Sequence, residues 1–133
     1  MSLNASLSAA MIHSALLILM GVFLALMVIE RRRGARVGIG DGGDARLARA
    51  IRVHGNFAEN APFAIGSYTL LGLAGASSWL IHALGVVFLV GRVAHAAGLS
   101  QHQGASLGRV IGMVLTSVVL CVAAFTLLTH AIA

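Results

Sequence analysis

The sequence contains no lysine, one cysteine, one proline, one tyrosine and one tryptophan. The lone Cys121 excludes an internal disulfide and any paired-cysteine metal or redox site. It lies in an apolar run, where an inert buried thiol is expected. Charge is scarce as well: 10% of residues are charged and 59% hydrophobic, whereas a soluble domain carries about 25% charged residues. That scarcity excludes an ordinary soluble domain, and the apolar content excludes disorder. Residues 1–133 therefore read as a single integral membrane domain. The net charge of +5 has no interleaved aromatic residues of the kind that bind nucleic acid, so no nucleic-acid partner is expected.

Four apolar segments are present, at about 6–29, 57–74, 79–97 and 107–132. About 20 residues of helix cross the hydrocarbon layer. The runs are continuous rather than alternating, which excludes a membrane barrel. The predicted fold is all-α, an integral membrane four-helix bundle. The first segment is not a secretory signal peptide, because its positive residues follow the apolar run and the run is too long. The segment between the first two spans, a loop over about 30–45 followed by the entry to the second span, holds seven arginines. The Gly72–Ser78 connection holds none, and Arg92 and Arg109 border the third. By the positive-inside rule the first and third connections face the cytosol and both termini lie outside it.

Within the first connection, GARVGIGDGG (Gly34–Gly43) reads as a flexible turn-forming loop. Asp44 is placed to cap a helix that starts before the second span, and Pro62 is expected to kink that helix. Gly21, Gly66, Gly85 and Gly91, with the pair Gly108 and Gly112, are expected to allow close helix contact.

Eleven of the thirteen charged residues fall between Glu30 and Glu59. Orientation explains Arg31 to Arg36. The later charges form a pattern. At 100° per residue, Arg46, Arg49, Arg52, Asn56, Glu59, Asn60 and Ser67 all fall within about 80° of Arg49, and His54 falls off that face. Facing lipid, a charge costs about 2.5–3.5 kcal/mol at mid-bilayer and less near the interface. Anchoring by snorkelling accounts for Arg46 and Arg49 as readily as a ligand does. It accounts less well for Arg52, Asn56 and Glu59 together. Arginine pairs with carboxylates, a carboxylate accepts from an ammonium group, and an asparagine bonds a peptide amide. The face therefore suits a small zwitterionic or polyanionic ligand of peptide character.

Other polar residues carry less. His13, His82 and His130 lack metal-ligand spacing and read as interfacial, and no metal is expected. His95 lies one turn beyond Arg92 and is placed to share a network with it. His102 reads as a solvated loop residue. GIGDGG lacks the ending of a phosphate loop. Trp79 reads as an interfacial anchor, and Thr116 and Ser117 as local or interhelical hydrogen-bond partners. A small transporter would place an acid deep in a span; Glu59 sits near the edge of its span.

The run RAIRVHGNFAENAPF (Arg49–Phe63) resembles the signature of the MAPEG family, the membrane-associated proteins in eicosanoid and glutathione metabolism. GRVAH (Gly91–His95) resembles the family's second stretch, Arg109 a third position, and GDGG (Gly40–Gly43) the small bacterial inner-membrane branch. The resemblance spans nearly the whole chain. It implies a homotrimer in a bacterial inner membrane, with glutathione sites between neighbouring subunits near the cytosolic side. It implies that Arg52, Asn56 and Glu59 hold glutathione, Arg52 on a carboxylate and Glu59 on the γ-glutamyl ammonium. Arg49 and Asn60 on the stripe, and Arg92 and His95 in the second stretch, complete the implied binding set. Arg109 matches the arginine that stabilises the thiolate in catalytic members. One of Arg31 to Arg33 is expected to approach from the first helix.

Eicosanoid-forming members carry tyrosines in the third span and the loop beyond. Here that region offers His95 and Leu99, and Tyr68 is the only tyrosine. The expected function is glutathione transfer or peroxidase action on lipophilic substrates, with glutathione as cosubstrate and membrane lipids as surroundings. The alternative is a non-catalytic lipid-binding or scaffold protein of the same fold.

Overall fold

The computed structural model describes residues 4–101 and 106–132. His102, read above as a solvated loop residue, lies outside them. The chain forms α1 (Ala5–Ala35), α2 (Ala45–Leu73), α3 (Ser78–Gln101) and α4 (Leu107–Ile132). The expected all-helical bundle is found.

The Asn4 side chain opens α1 by accepting from the Leu7 amide at 2.7 Å. The helix does not stop with the apolar run at Ile29. It continues through Arg31–Arg33, because arginine is a good helix former and nothing there breaks the ladder. It ends where Arg36 turns left-handed at φ 55°. The loop expected over 30–45 therefore shrinks to 36–44. Specific bonds hold it. The Arg32 guanidinium donates to the carbonyls of Gly38 (3.2 Å) and Gly40 (2.8 Å). Asp41 Oδ1 accepts from the Gly43 amide at 2.9 Å. Gly42 sits at φ 58°, and a Cβ there would also strike Val37.

Asp44 caps α2 as expected, its Oδ1 accepting from the amides of Arg46 (2.8 Å) and Leu47 (2.9 Å). Those bonds, Leu47 first, hold its carboxyl below the usual value, and the charges of Arg46 and Arg31 add to the effect. The helix passes through Pro62 and ends at Leu73. At 29 residues it is about 43 Å long, more than the roughly 30 Å of hydrocarbon.

Among the described residues, α1, α3 and α4 are long and apolar enough to cross a membrane. Helix α2, the second of the four expected spans, is less apolar than these three. Its polar stripe lowers its hydropathy, and it lies in the middle of the bundle.

Helices α2 and α3 are central. Helix α1 packs on both, α4 packs on both, and α1 and α4 do not meet. The core joins Leu17 and Leu24 of α1, Phe57 and Leu71 of α2, Phe88 of α3 and Val119 of α4. The outer faces of α1 and α4 stay apolar and open, as at Phe23 and Phe125. In lipid such surface costs nothing, so close packing and polar bonds hold the helices together. A Cβ at Gly21 would lie 3.1 Å from the Phe57 ring, and one at Gly85 would overlap His13. Gly91 and Gly112 bring α3 and α4 together backbone to backbone. Gly66 has nothing within 4 Å and packs against no neighbouring helix.

Two residues depart from the sequence reading. His13 is buried, not interfacial: Gly85 leaves room for its ring, and its Nε2 meets His82 Nδ1 at 3.0 Å. Cys121 is exposed, not buried, because it falls on the outward face of α4. Trp79 remains exposed at the start of α3.

Candidate functional site

Near the loop end of the bundle, α2, α3 and α4 enclose a polar cluster. At its centre is Arg92, 1% exposed. Burying a guanidinium costs several kcal/mol unless hydrogen bonds replace its water. The fold supplies them from both neighbouring helices. Arg92 Nη2 donates to Asn56 Oδ1 of α2. Nη1 donates to Thr116 Oγ1 of α4 at 3.2 Å and lies 4.0 Å from Met113 Sδ. Charge-assisted bonds contribute about 1.5–3 kcal/mol each, enough to offset much of the burial. Thr116 is positioned by its own donation to the Gly112 carbonyl at 2.7 Å, so the hydroxyl has its acceptor side free for Arg92.

The cluster is not saturated. Arg92 Nε and His95 Nδ1 are buried and have no hydrogen-bond partner. Among buried polar groups such orphans are rare. His95 is itself buried, one turn beyond Arg92, and Arg92, Arg109 and Arg52 all act on it electrostatically. Glu59 lies within electrostatic range of Arg92. Toward the outside, Arg52 Nη1 and Glu59 Oε1 are 3.7 Å apart with side chains 65% and 58% exposed. An exposed pair of that kind contributes about 0–1 kcal/mol, so either head is cheaply released to a ligand. Asn56, Arg92 and Thr116 thus meet from three helices, with His95 one turn along α3 and the exposed Arg52–Glu59 pair on α2. Arg109, half-buried in the first turn of α4, acts on His95 electrostatically.

The sequence-derived set is therefore divided. Asn56 is bonded to Arg92, His95 lies one turn beyond Arg92, and Arg52 pairs with Glu59 at the exposed edge. Asn60 does not point into the cluster: its Nδ2 donates to the Asn56 carbonyl at 2.8 Å, and Ser67 likewise bonds its own helix. Arg49 lines a different space. With Arg46 and Arg31 it borders a cleft of about 600 Å³ between α1, α2 and α3. Of the three arginines ending α1, Arg31 reaches that cleft, while Arg32 is used by the loop. Thr116, expected as a local or interhelical hydrogen-bond partner, is both, and sequence reasoning did not link it to Arg92. Its signal was register: it lies seven residues after Arg109, two turns along the same helical face.

Among the described residues no group of three or more His, Cys, Asp or Glu side chains could hold a metal ion. The chemistry available is anion recognition. Clustered guanidinium groups favour carboxylates and thiolates, and lower the pKa of a thiol brought beside them.

The model of the MAPEG family matches residues 10–129. The inner membrane protein YecN of Escherichia coli strain K12 is 42% identical over 71 residues, covering 53% of this chain and 54% of that protein. The protein of the same name from Escherichia coli O6:H1 strain CFT073 matches to the same extent. The chain thus spans about half the length of the curated relatives it matches. The family match takes in the Asn56–Arg92–Thr116 cluster and all four helices, and this chain belongs to the MAPEG family.

Proposed function

We propose that this protein binds glutathione at the α2–α3–α4 cluster and uses it on lipophilic electrophiles, as a transferase or a glutathione-dependent peroxidase. The observation that carries the reading is the buried Arg92, fixed by Asn56 and Thr116, whose Nε and the Nδ1 of His95 are buried without hydrogen-bond partners. In this reading Arg52 takes a carboxylate of the tripeptide, Glu59 its ammonium group and Asn56 a peptide bond. Arg109 stabilises the thiolate. In conjugation the thiolate attacks an electrophilic carbon, a C–S bond forms, and the displaced or ring-opened group takes up a proton. Hydrophobic substrate reaches the sulfur from the bilayer, along the open apolar faces of α1 and α4. We further propose a homotrimer in the bacterial inner membrane, with the arginine-rich loop in the cytosol and both termini outside.

Titration of glutathione into detergent-purified protein tests this, with thiolate absorbance followed in parallel. Binding is expected, with a thiolate signal that Arg109→Ala removes. Binding indifferent to Arg52→Ala and Glu59→Ala would overturn the assignment.

The second reading, a non-catalytic lipid-binding or scaffold protein, is favoured by one observation. The only tyrosine, Tyr68, is buried and donates to the Leu84 carbonyl at 3.2 Å. No phenol is therefore available at the cluster. Binding of glutathione without turnover of any electrophile would select this reading.

A further inference from the structure

The cleft between α1, α2 and α3 is separate from the cluster just described, and its composition is unusual. Its walls are apolar, from Phe23, Leu24, Met27 and Leu89, and its volume is about 600 Å³. Its mouth carries Arg31 from α1 and Arg46 and Arg49 from α2. Membrane orientation explains why arginines are abundant on this side of the chain. It does not explain why three from two helices converge on one opening, where like charges repel. Among the described residues none of the three lies within ion-pair distance of a carboxylate. The nearby acid is Asp44, and both of its hydrogen bonds go to the helix backbone, as the cap of α2. Asp44 acts on Arg46 and Arg31 only at longer range, so the mouth stays net positive, and a positive mouth on an apolar slot is complementary to an anionic head joined to a hydrocarbon chain.

Depth narrows the choice. The apolar run of α1 ends at Ile29, so Arg31 stands where hydrocarbon gives way to headgroups. Basic pockets between membrane helices at this level suit lipid phosphates. Arginine matches phosphate geometry with paired donors. The volume suits one acyl chain, and the cleft leaves the second chain in the bilayer.

We propose that this cleft is a binding site for an anionic phospholipid, with its phosphate on Arg31, Arg46 and Arg49 and one acyl chain between α1, α2 and α3. The proposal does not rest on glutathione binding, because none of the residues lining the cleft belongs to the Asn56–Arg92–Thr116 cluster.

The test uses delipidated, detergent-purified protein and three probes: phosphatidylglycerol, phosphatidylcholine and oleate. Thermal stability and the amount of lipid retained per chain are both read. Phosphatidylglycerol is expected to stabilise the protein and be retained, and phosphatidylcholine is not. Each Arg→Gln change at 31, 46 or 49 is expected to weaken phosphatidylglycerol binding by about fivefold. Ala97→Phe, which narrows the cleft and keeps all three arginines, is expected to reduce retention as well. If one arginine variant does not fold, the other two and Ala97→Phe carry the test. Equal effects of the two phospholipids would overturn the proposal. So would full retention by Ala97→Phe, or a response to oleate that phosphatidylglycerol does not produce.

Discussion

Arg92 is a cation that the bundle keeps away from both water and lipid, and its two acceptors decide whether that is tolerable. Asn56 comes from α2 and Thr116 from α4, so removing either leaves a buried guanidinium short of a bond without disturbing its own helix. Asn56→Leu is expected to destabilise the protein by about 1.5–3 kcal/mol, the range for a hydrogen bond to a charged group. Thr116→Val falls in the same direction and Thr116→Ser restores the wild-type value. Reversible unfolding in mixed detergent micelles measures all three. At the exposed rim the outcome differs. Arg52→Gln changes stability little, since the Arg52–Glu59 pair is solvent-screened. If glutathione binds as proposed, Arg52→Gln is expected to weaken that binding by about tenfold or more, through loss of one charge-assisted bond, read by titration.

At the scale of elements, the helix ends and the glycine contacts separate two kinds of sensitivity. Asp44 starts α2 and so sets the register of everything on the stripe. Its carboxyl is held below the usual value by the amides it caps. A carboxyl lowered on folding contributes stability that is present above its unfolded value, near 3.9, and is lost as pH falls through the lowered folded value. Acidification is therefore expected to fray the first turn of α2, seen as faster amide exchange at Arg46 and Leu47 once buffer effects are removed. Asp44→Asn keeps an acceptor and flattens that pH dependence. The glycines give a second prediction. Gly112→Ala would press into the Gly91 carbonyl and His95, so a loss of about 1–3 kcal/mol is expected, with displaced His95. Gly66→Ala meets nothing within 4 Å. It is expected to be neutral or stabilising by up to about 1 kcal/mol. Sequence alone ranks the two glycines equally, because helical spacing does not say which face a neighbour covers.

At the scale of the whole molecule, the open faces of α1 and α4 and the absence of contact between those two helices leave long apolar edges. A trimer would place such an edge against the next subunit and leave the remainder to lipid. Native mass measurement in detergent is expected to give three chains per particle. A particle of one chain would overturn that assembly.

The sequence by itself determined the class of element, the Asp44 cap, the run of arginines, and the helical register that puts Arg52, Asn56 and Glu59 near one another. These are local properties, fixed by 3.6 residues per turn and by backbone bonding within one segment. It did not determine how the stripe is shared. Only the tertiary structure gave Arg49 to the α1 cleft and Asn56 to Arg92, turned Asn60 back on its own helix, chose Arg31 over Arg32, and paired His13 with His82. The physical reason is that apolar residues in a membrane face lipid and core alike. Hydropathy cannot then tell the buried side of α1 or α4 from the exposed one, as Cys121 demonstrates. The rotation of each helix about its axis is set by glycine contacts and buried polar bonds between residues far apart in the chain.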